Sequence, residues 1–443
     1  MGKILRREFI RTGAAGAAGA GLALSSRPAS ARIIGANDRI VMALIGAGRM
    51  GIGNMKNALK HDNVGVAAVC DVYRPNLEKG AAAAPGAEKY TDFRKILDRK
   101  DIDAVIIGTP DHWHALQTIM ACQAGKDVYV EKPISITIEE GRKMVEAARK
   151  YNRVVQVGTQ QRSGMIFQRA AEIIRDGKIG RISFVRTWNY GNEHPEGIGN
   201  PPDSAPPPDL DWDMWLGPAP KVPFNPNRFG VHPERFSSFR WFWDYAGGMM
   251  TDWGVHLLDI VQMVMGVDYP KVVTASGGKF LLQDNRETPD TLQATFEYPG
   301  FVCVYENRVC NGNPMNGHGY GIMFHGTEGT LFVDRGGLEV IPEKRRLSRD
   351  ETVNRTEAVA LKNEGDHHLL HMRNFLECVK SRQKPICDIE TGHRSTSTAL
   401  LGNIAYRSGQ RVAWDGASER ITGGGEAQRY LSKPYRKPWK LAV

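Results

Sequence analysis

The first third of the chain alternates short apolar runs with stretches of helical periodicity. Apolar runs of about four to eight residues bounded by turn residues are typical of buried parallel strands. Longer amphipathic stretches fill the gaps between them, most clearly at residues 138–150. Alternation of this kind predicts a parallel sheet with crossover helices. We therefore predict an α/β, doubly wound domain over residues 32–158, with strands at Ile40–Ile45, Val64–Cys70, Ala104–Gly108, Asp127–Val130 and Val154–Val157.

The pattern changes after residue 158. Long period-two runs predict strands in a large open, mostly antiparallel sheet, and the proline-rich stretch 191–240 predicts an ordered or lid-like loop. We interpret residues 159–443 as one α+β domain that ends in an arm packed on the body or on a neighbouring subunit. Its predicted strands are Ile182–Tyr190, Val272–Leu282, Thr291–Arg308, Gly321–Asp334 and Gly337–Ile341, and its predicted helices are Met165–Gly177, Asp366–Ser381 and Thr391–Ser408.

Composition adds little beyond this architecture, except at the N-terminus. The chain is 41% hydrophobic and 24% charged, and its net charge is +9. The first 31 residues carry five basic residues against one acid and so account for four of these charges. The remaining Lys and Arg are spread without blocks or interleaved aromatics, which gives no support to nucleic-acid binding.

The N-terminus has the pattern of an export signal. Arg6-Arg7 precedes Phe9-Ile10, a weakly hydrophobic Gly/Ala stretch follows, and Ala29-Ser-Ala31 has the form of an A-x-A cleavage site. We predict a twin-arginine signal over residues 1–31 and a periplasmic or otherwise exported protein that uses the twin-arginine machinery. An uncleaved flexible tail is the alternative.

The first predicted strand runs into a glycine-rich turn, Gly46-x-Gly48-x-x-Gly51, at the start of a helical stretch. Such glycines let the chain turn, let the backbone approach a pyrophosphate, and let the helix lie close to the strand. About twenty residues further on, a dinucleotide site places a carboxylate on the ribose hydroxyls, and Asp71 ends the second predicted strand. This spacing predicts a Rossmann domain for a nicotinamide dinucleotide. Asp71 favours NAD because a carboxylate repels a 2′-phosphate, but nearby Arg74 offsets this in part and keeps NADP as the alternative.

Two more strand ends carry polar residues. Ligands of open α/β sheets bind outside the carboxyl ends of the strands, so Thr109, Pro110 and His114 are predicted to face the cofactor groove. A helix-capping role for His112 and His114 is equally open. Lys132 directly follows another strand and is fixed by the proline after it, which would place a cation beside the nicotinamide to polarise a substrate oxygen. An isolated Lys-Pro is otherwise usually a surface turn.

A second decisive stretch begins at the paired glycines Gly247-Gly248. Asp252 and His256 follow at a spacing of four, and Asp259 stands three residues further on. A spacing of four puts a carboxylate and an imidazole on one helix face, where the carboxylate can orient a general base and stabilise its protonated form. Taken alone, such a pair is more often structural.

Tryptophans concentrate around the proline-rich stretch, where flat rings suit the apolar faces of sugars. We expect at least half of them to anchor the loop instead. They are Trp188, Trp212, Trp215, Trp241, Trp243 and Trp253, six of the nine in the chain.

Metal binding has weak support. The six cysteines have no metal-ligand spacing, and buried free thiols are favoured, including at Cys303 and Cys310, the pair closest to disulfide spacing. His367, His368 and His371 cluster at the start of a predicted helix, where a solvated helix face is the favoured interpretation over a metal site. We predict no metal.

Together, the glycine turn, Asp71, Thr109-Pro110, Glu131-Lys132-Pro133 and the motif from Gly247 to Asp259 resemble the glucose-fructose oxidoreductase/inositol dehydrogenase (Gfo/Idh/MocA) family over residues 39–408, and most closely its exported branch. The resemblance implies an open sheet that lies over the nicotinamide and often forms the interface of a homo-oligomer, here a dimer or tetramer. It also implies an NAD(P)-dependent oxidoreductase acting on a hydroxyl of a sugar, polyol or glycoside. In that interpretation His256 takes the hydroxyl proton, Asp252 orients it or binds substrate, and Lys132 polarises the same oxygen.

The expected site follows from these motifs and the resemblance. The predicted catalytic set is Lys132, Asp252 and His256. Arg162, Trp241, Asp252 and His256 are expected at the substrate. The dinucleotide is expected to contact Gly46, Gly48, Arg49, Met50, Gly51, Asp71, Arg74, Thr109, Pro110, His114, Glu131, Lys132 and Gln160.

Two other functions stay open. Some relatives are glycoside hydrolases that keep NAD bound and oxidise the sugar transiently to labilise its glycosidic bond. Some of these lack the lysine of the Glu-Lys-Pro motif, so Lys132 favours simple dehydrogenation. A non-catalytic sugar-binding protein would be expected to have lost one of the three catalytic residues, and ranks last. Export of a folded protein with a cytoplasmic dinucleotide further predicts tight cofactor retention.

Overall fold

The computed structural model describes residues 39–231 and 237–443. The predicted export signal, with cleavage after Ala31, lies outside the described residues. Two sheets organise the rest of the molecule, a parallel one in the N-terminal domain and a larger mixed one in the C-terminal domain.

The N-terminal sheet has six parallel strands: β1 Ile40–Ile45, β2 Val64–Cys70, β3 Glu88–Tyr90, β4 Ala104–Ile107, β5 Asp127–Val130 and β6 Val155–Val157. They lie in the order β3-β2-β1-β4-β5-β6, which confirms the predicted doubly wound fold. The short β3 escaped prediction because it has no apolar run. The order reverses between β1 and β4, and ligands of such sheets bind in the crevice at that switch point.

Five helices connect these strands. The clearest local signal is at the start of the fifth helix, where Thr137 and Glu140 form a reciprocal capping box. The helices are α1 Arg49–Leu59, α2 Arg74–Ala83, α3 Phe93–Asp98, α4 Asp111–Gln123 and α5 Ile138–Lys150.

The C-terminal sheet has ten strands, and the predicted period-two runs account for its centre. The run 291–308 folds as a hairpin around Pro299-Gly300 rather than as one strand. Ten strands join the sheet and two form a separate hairpin: β7 Ile182–Tyr190, β8 Val272–Gly278, β9 Thr291–Tyr298, β10 Phe301–Arg308, β11 Tyr320–Gly326, β12 Gly329–Val333, β13 Gly337–Pro342, β14 Lys344–Arg346, β15 Thr352–Asn354, β16 Val359–Lys362, β17 Val412–Asp415 and β18 Arg420–Thr422.

The strand order of this sheet is β16-β13-β12-β11-β7-β10-β9-β8-β17-β18, with β14 pairing only with β15. The β7–β10 pair is parallel, and the other pairs in the sheet are antiparallel. The predicted open, mostly antiparallel sheet is therefore confirmed.

The C-terminal helices link the two domains. Met372, Phe375 and Val379 of one helix join the core around the N-terminal sheet, and Gln156 of β6 forms a bridge with Asp388. Residues after 158 thus contribute to the packing of the dinucleotide domain. The helices of this region are α6 Met165–Arg175, α7 Trp212–Leu216, α8 Pro226–Phe229, α9 Gly248–Asp252, α10 Gly254–Met265, α11 His367–Ser381 and α12 Ile389–Ser408, with 3-10 turns at Gln160–Ser163, Ser238–Trp241 and Glu426–Tyr430.

The proline-rich insertion packs around its own aromatic core and lies against the N-terminal domain. The indole of Trp113 in α4 donates to the Trp215 carbonyl at 2.9 Å, and Tyr73 bridges to Leu210. The C-terminal arm packs on its own chain, where Trp439 lies edge-on to Trp113 with ring centroids 4.9 Å apart. In the part of the chain that the structure describes, no helix is long and apolar enough to cross a membrane.

Candidate active site

The glycine turn after β1 leaves room for an anion. Gly48 caps α1, and no side chain accepts hydrogen bonds from the first-turn amides. A Cβ on Gly48 would meet nothing within 4 Å, although its backbone, with φ −73° and ψ −179°, would suit any residue. A Cβ on Gly51 would instead lie 2.0 Å from the Gly46 carbonyl oxygen. Gly51 is therefore required by the fold, whereas Gly48 keeps open the approach to the helix N-terminus where a pyrophosphate binds.

Asp71 lies at the end of β2, beside this turn. Its carboxylate accepts hydrogen bonds from the amides of Ala47 at 2.8 Å and Tyr73 at 2.9 Å. Burial raises the pKa of Asp71 to about 6, with those two amides opposing the rise. Arg74 pairs with Asp209 of the insertion, so the cation that would favour a 2′-phosphate already has a carboxylate partner. This geometry fits NAD better than NADP.

The turn after β4 brings Thr109 and Pro110 to the same edge, and Arg49 and Met50 lie exposed in the first turn of α1. His114 does not line the groove, and that part of the prediction is wrong. It is 1% exposed, and its ring nitrogens face the carbonyls of Thr109 at 2.8 Å and Pro133 at 2.7 Å. His114 thus ties together the loops after β4 and β5.

Glu131 and Gln160 form a buried layer behind Lys132. Glu131 Oε1 accepts hydrogen bonds from Asn54 Nδ2 at 2.7 Å and from Gln160 Nε2 at 2.9 Å. Both residues are at most 5% exposed, and burial raises the pKa of Glu131. They join α1, β5 and the turn after β6 beneath the groove, so a role in positioning fits them better than direct contact with the dinucleotide.

Lys132 and Asp252 meet across the two domains, although 120 residues separate them. Lys132 Nζ donates to Asp252 Oδ1 at 2.9 Å and to the Asp252 carbonyl at 2.8 Å, and Arg240 lies 3.5 Å from the same Oδ1. Burial would raise the pKa of Asp252, but Arg240 and Lys132 outweigh it and hold the pKa well below its usual range. Asp252 is therefore a carboxylate at any working pH.

His256 stands beside this pair as a neutral base. It is 6% exposed, and burial, together with Lys132, lowers its pKa well below the ordinary value. Its Nδ1 is buried without a hydrogen-bond partner among the described residues. The predicted orientation of His256 by Asp252 is not found, because the helix is interrupted at Trp253 and the Asp252 carboxylate faces Lys132.

Two of the predicted substrate contacts prove to be structural. Arg162 Nε donates to both carboxylate oxygens of Asp259 at 2.8 Å, in a pair whose carboxylate is 0% exposed. Trp241 is 1% exposed, and the Arg286 guanidinium lies 4.8 Å from its ring centroid. Neither side chain offers a free face to a sugar, so both assignments are corrected.

Most of the other candidate tryptophans also anchor the structure, as expected. Trp188, Trp212 and Trp215 are buried. Trp253 is the exception that matters for the site, since it is half-buried and its ring centroid lies 6.2 Å from that of His256. Tyr320 of β11 packs on Trp253 with ring centroids 4.7 Å apart.

The structure adds two charged groups that the sequence reasoning missed. Asp111, the first residue of α4, interacts electrostatically with Lys132, Arg240 and Asp252, and its burial raises its pKa to about 7. Its place directly after Thr109-Pro110 was the signal that could have found it. Arg335, in the turn between β12 and β13, has its guanidinium 4.9 Å from the Trp253 ring centroid. No motif marks this arginine.

Among the described residues, no group of three or more His, Cys, Asp or Glu is arranged to hold a metal. The six cysteines are free thiols. The expected solvated histidine face on α11 is wrong for His371, which is 0% exposed and contacts Ser163 and the Val157 carbonyl.

A Rossmann sheet with an open glycine turn, a ribose-binding carboxylate and a lysine, carboxylate and imidazole at its edge defines the class of NAD-binding oxidoreductases. The chain belongs to the Gfo/Idh/MocA oxidoreductase family. Residues 40–159 match its NAD-binding Rossmann fold, and residues 186–279 and 352–441 match its C-terminal alpha/beta domain, which together is more than half of the chain. The cofactor is accordingly NAD.

Similar proteins span more than one activity. The chain is 22% identical to myo-inositol 2-dehydrogenase from Thermotoga maritima, over 83% of this chain and 95% of that protein. It is 28% identical to a glycosyl hydrolase family 109 protein from Shewanella pealeana, over 41% of this chain and 44% of that protein. The crystal structure of the WlbA dehydrogenase from Bordetella pertussis, in complex with NADH and UDP-GlcNAcA, superposes with a TM-score of 0.63 at 21% identity, over 85% of this chain and 99% of that one. This structural likeness concerns the fold.

Proposed function

We propose that the protein is an NAD-dependent dehydrogenase that oxidises a hydroxyl of a sugar, polyol or glycoside. The observation that carries this proposal is the meeting of Lys132 with Asp252, next to a neutral His256 whose Nδ1 lacks a partner. The T. maritima relative is an inositol dehydrogenase, which supports a polyhydroxylated substrate.

Each of the three residues has a definable role. His256 is neutral and takes the hydroxyl proton, because its lowered pKa keeps it a free base at neutral pH. Lys132 donates to the substrate oxygen and stabilises negative charge that develops there. Asp252 holds the Lys132 ammonium in place and balances the positive charge that forms on His256. Bound NAD, held by the glycine turn and Asp71, supplies the acceptor for the hydride of the carbinol carbon.

The test is to assay the protein with a panel of sugars, inositols and glycosides and to follow NADH formation. Lys132→Ala and His256→Ala should each reduce turnover by about 100- to 10,000-fold, the usual effect of removing a general acid or base. Both variants should keep wild-type dinucleotide content, because neither residue contacts the glycine turn. An exposed lysine far from the site, Lys344 on β14, provides a matched control as Lys344→Ala. Full activity in either site variant would refute the assigned roles.

The second candidate is a glycoside hydrolase that keeps NAD bound and oxidises its sugar transiently. The glycosyl hydrolase family 109 relative favours it, as does the contact of the insertion with the β2–α2 segment, where Tyr73 pairs with Leu210 and Arg74 with Asp209. This contact would slow exchange of the adenosine end. Release of aglycone from a chromogenic glycoside without net NADH would support the hydrolase, and net NADH formation without aglycone release would contradict it.

We further propose that the chain is exported through the twin-arginine pathway and acts as a homo-oligomer. Arg6-Arg7 and the Ala29-Ser-Ala31 site support export. Fractionation of cells that produce the full chain should place it in the periplasm with an N-terminus at Arg32, whereas Arg6→Lys/Arg7→Lys should keep it in the cytoplasm. A cytoplasmic wild-type protein would contradict this proposal.

A further inference from the structure

The wall of the groove beyond His256 carries positive charge with no carboxylate partner. Arg335 forms no ion pair among the described residues, and its Nε is buried without a hydrogen-bond partner. The adjacent Asp334 is already engaged, because its carboxylate accepts hydrogen bonds from the amides of Gly336 and Gly337 and contacts His318. A buried guanidinium without a counter-charge is costly. A bound ligand is therefore the natural source of its partner.

Two histidines at the start of α11 border the same space. The rings of His367 and His368 lie 4.5 Å apart, and His367 Nε2 is also buried without a partner in the described chain. The nearest acid in sequence, Asp366, caps α11 and accepts hydrogen bonds from the amides of His368 and Leu369. These donors on α11 therefore also lack an acceptor from the protein.

The arginine and the two histidines belong to the catalytic groove. The charges of Arg335, His368 and His367 all act on His256, and Arg335 also interacts with Asp252. Trp253 lies between Arg335 and His256, 4.9 Å from the guanidinium carbon and 6.2 Å from the imidazole centroid. The acids within reach are committed elsewhere, since Asp252 binds Lys132 and Glu131 binds Asn54 and Gln160.

We propose that Arg335, His367 and His368 form a subsite for a carboxylate, and that the substrate is a sugar acid rather than a neutral sugar. A planar guanidinium binds a carboxylate through two parallel hydrogen bonds, and the imidazoles on α11 supply further donors. The aromatic pair Trp253 and Tyr320 packs beside this charge and provides ring surface for the sugar. This inference rests on the proposed dehydrogenase function and specifies its substrate class.

Calorimetry on the NADH-loaded holoenzyme tests the subsite without turnover. Matched pairs such as glucose and glucuronate, or galactose and galacturonate, differ only in the carboxylate. At least one acid should bind about 10-fold or more tightly than its neutral partner. Arg335→Gln should weaken that acid by about 10- to 100-fold, in keeping with loss of a charge-assisted hydrogen bond, and should leave the neutral sugar unchanged. Arg335→Lys, which keeps the charge without the planar fork, should fall between them.

The controls separate this proposal from its neighbours. Arg345→Gln removes an exposed arginine of β14 and should change nothing. Equal binding of acid and neutral sugar would overturn the subsite, as would tighter binding of glucose 6-phosphate than of glucuronate, or loss of dinucleotide from Arg335→Gln. NADH formation from neutral polyols alone would overturn the subsite and keep the dehydrogenase. Failure of every sugar to yield NADH, with acids still bound through Arg335, would remove the dehydrogenase and keep the subsite.

Discussion

Gly48→Ala should separate cofactor binding from folding. The backbone at Gly48 is extended, with φ −73°, and a Cβ there would have nothing within 4 Å. Replacing a glycine by alanine in an allowed conformation stabilises a protein by about 0.4–1 kcal/mol through the unfolded state. The added methyl group would nevertheless occupy the approach to the first-turn amides of α1. Loss of one hydrogen bond from these amides to the pyrophosphate costs about 1.5–3 kcal/mol, a 10- to 100-fold weaker Kd.

Two substitutions on the same helix complete this experiment. Gly53→Ala also adds a Cβ with nothing within 4 Å, but one turn further along α1, so NAD binding should stay unchanged. Gly51→Ala would place a Cβ 2.0 Å from the Gly46 carbonyl oxygen and 3.1 Å from Leu44, and should lower the free energy of unfolding by about 1–3 kcal/mol. Titration calorimetry with NAD on dinucleotide-free protein, together with thermal unfolding, reads both effects. Wild-type NAD affinity in Gly48→Ala, or a loss of stability as in Gly51→Ala, would refute the reasoning.

Three further predictions concern the charged groups. The folded pKa of Asp111, about 7, exceeds its ordinary 3.8, so this group favours folding at low pH and that stability is lost as pH rises through 7; Asp111→Asn should raise Tm at pH 8.5 more than at pH 5.5, and equal shifts would contradict the raised pKa. The ionised Asp111 also adds negative charge beside Lys132, so kcat/KM for oxidation should rise through pH 7, and a rise that persists in Asp111→Asn would exclude this residue as its source. Asp209→Asn frees Arg74 and should improve NADP binding relative to NAD by about 10-fold, measured by titration of each dinucleotide.

The dinucleotide half of the site could be predicted because its signals are local. The glycine turn, Asp71 and the residues after β4 each follow a buried strand, and parallel strands end at one edge of the sheet. The same reasoning placed Lys132 correctly at that edge. It failed for His114, because the sequence does not show whether an imidazole after a strand points to the groove or back into the loops.

The substrate half could be predicted only in part, because its contacts join distant segments. The spacing of Asp252 and His256 suggested a mutual pair, but the interruption of the helix at Trp253 and the arrival of Lys132 from the other domain give Asp252 a different partner. Arg335 comes from a β-turn without a motif, so only the packing of β12, β13 and α11 around the groove shows its place. Trp241 was assigned by residue type, and burial decided against it.

The most direct test of hydride transfer at this site follows an isotope. Protein loaded with NAD is exposed to a panel of sugars, polyols and sugar acids deuterated at the carbinol carbons, and the recovered dinucleotide is weighed by mass spectrometry. The account predicts one deuterium on the reduced dinucleotide from the wild-type protein, and none from Lys132→Ala or His256→Ala with the dinucleotide still bound. Deuterium transfer that continues in both variants, or no transfer from any member of the panel to wild-type protein, would contradict it.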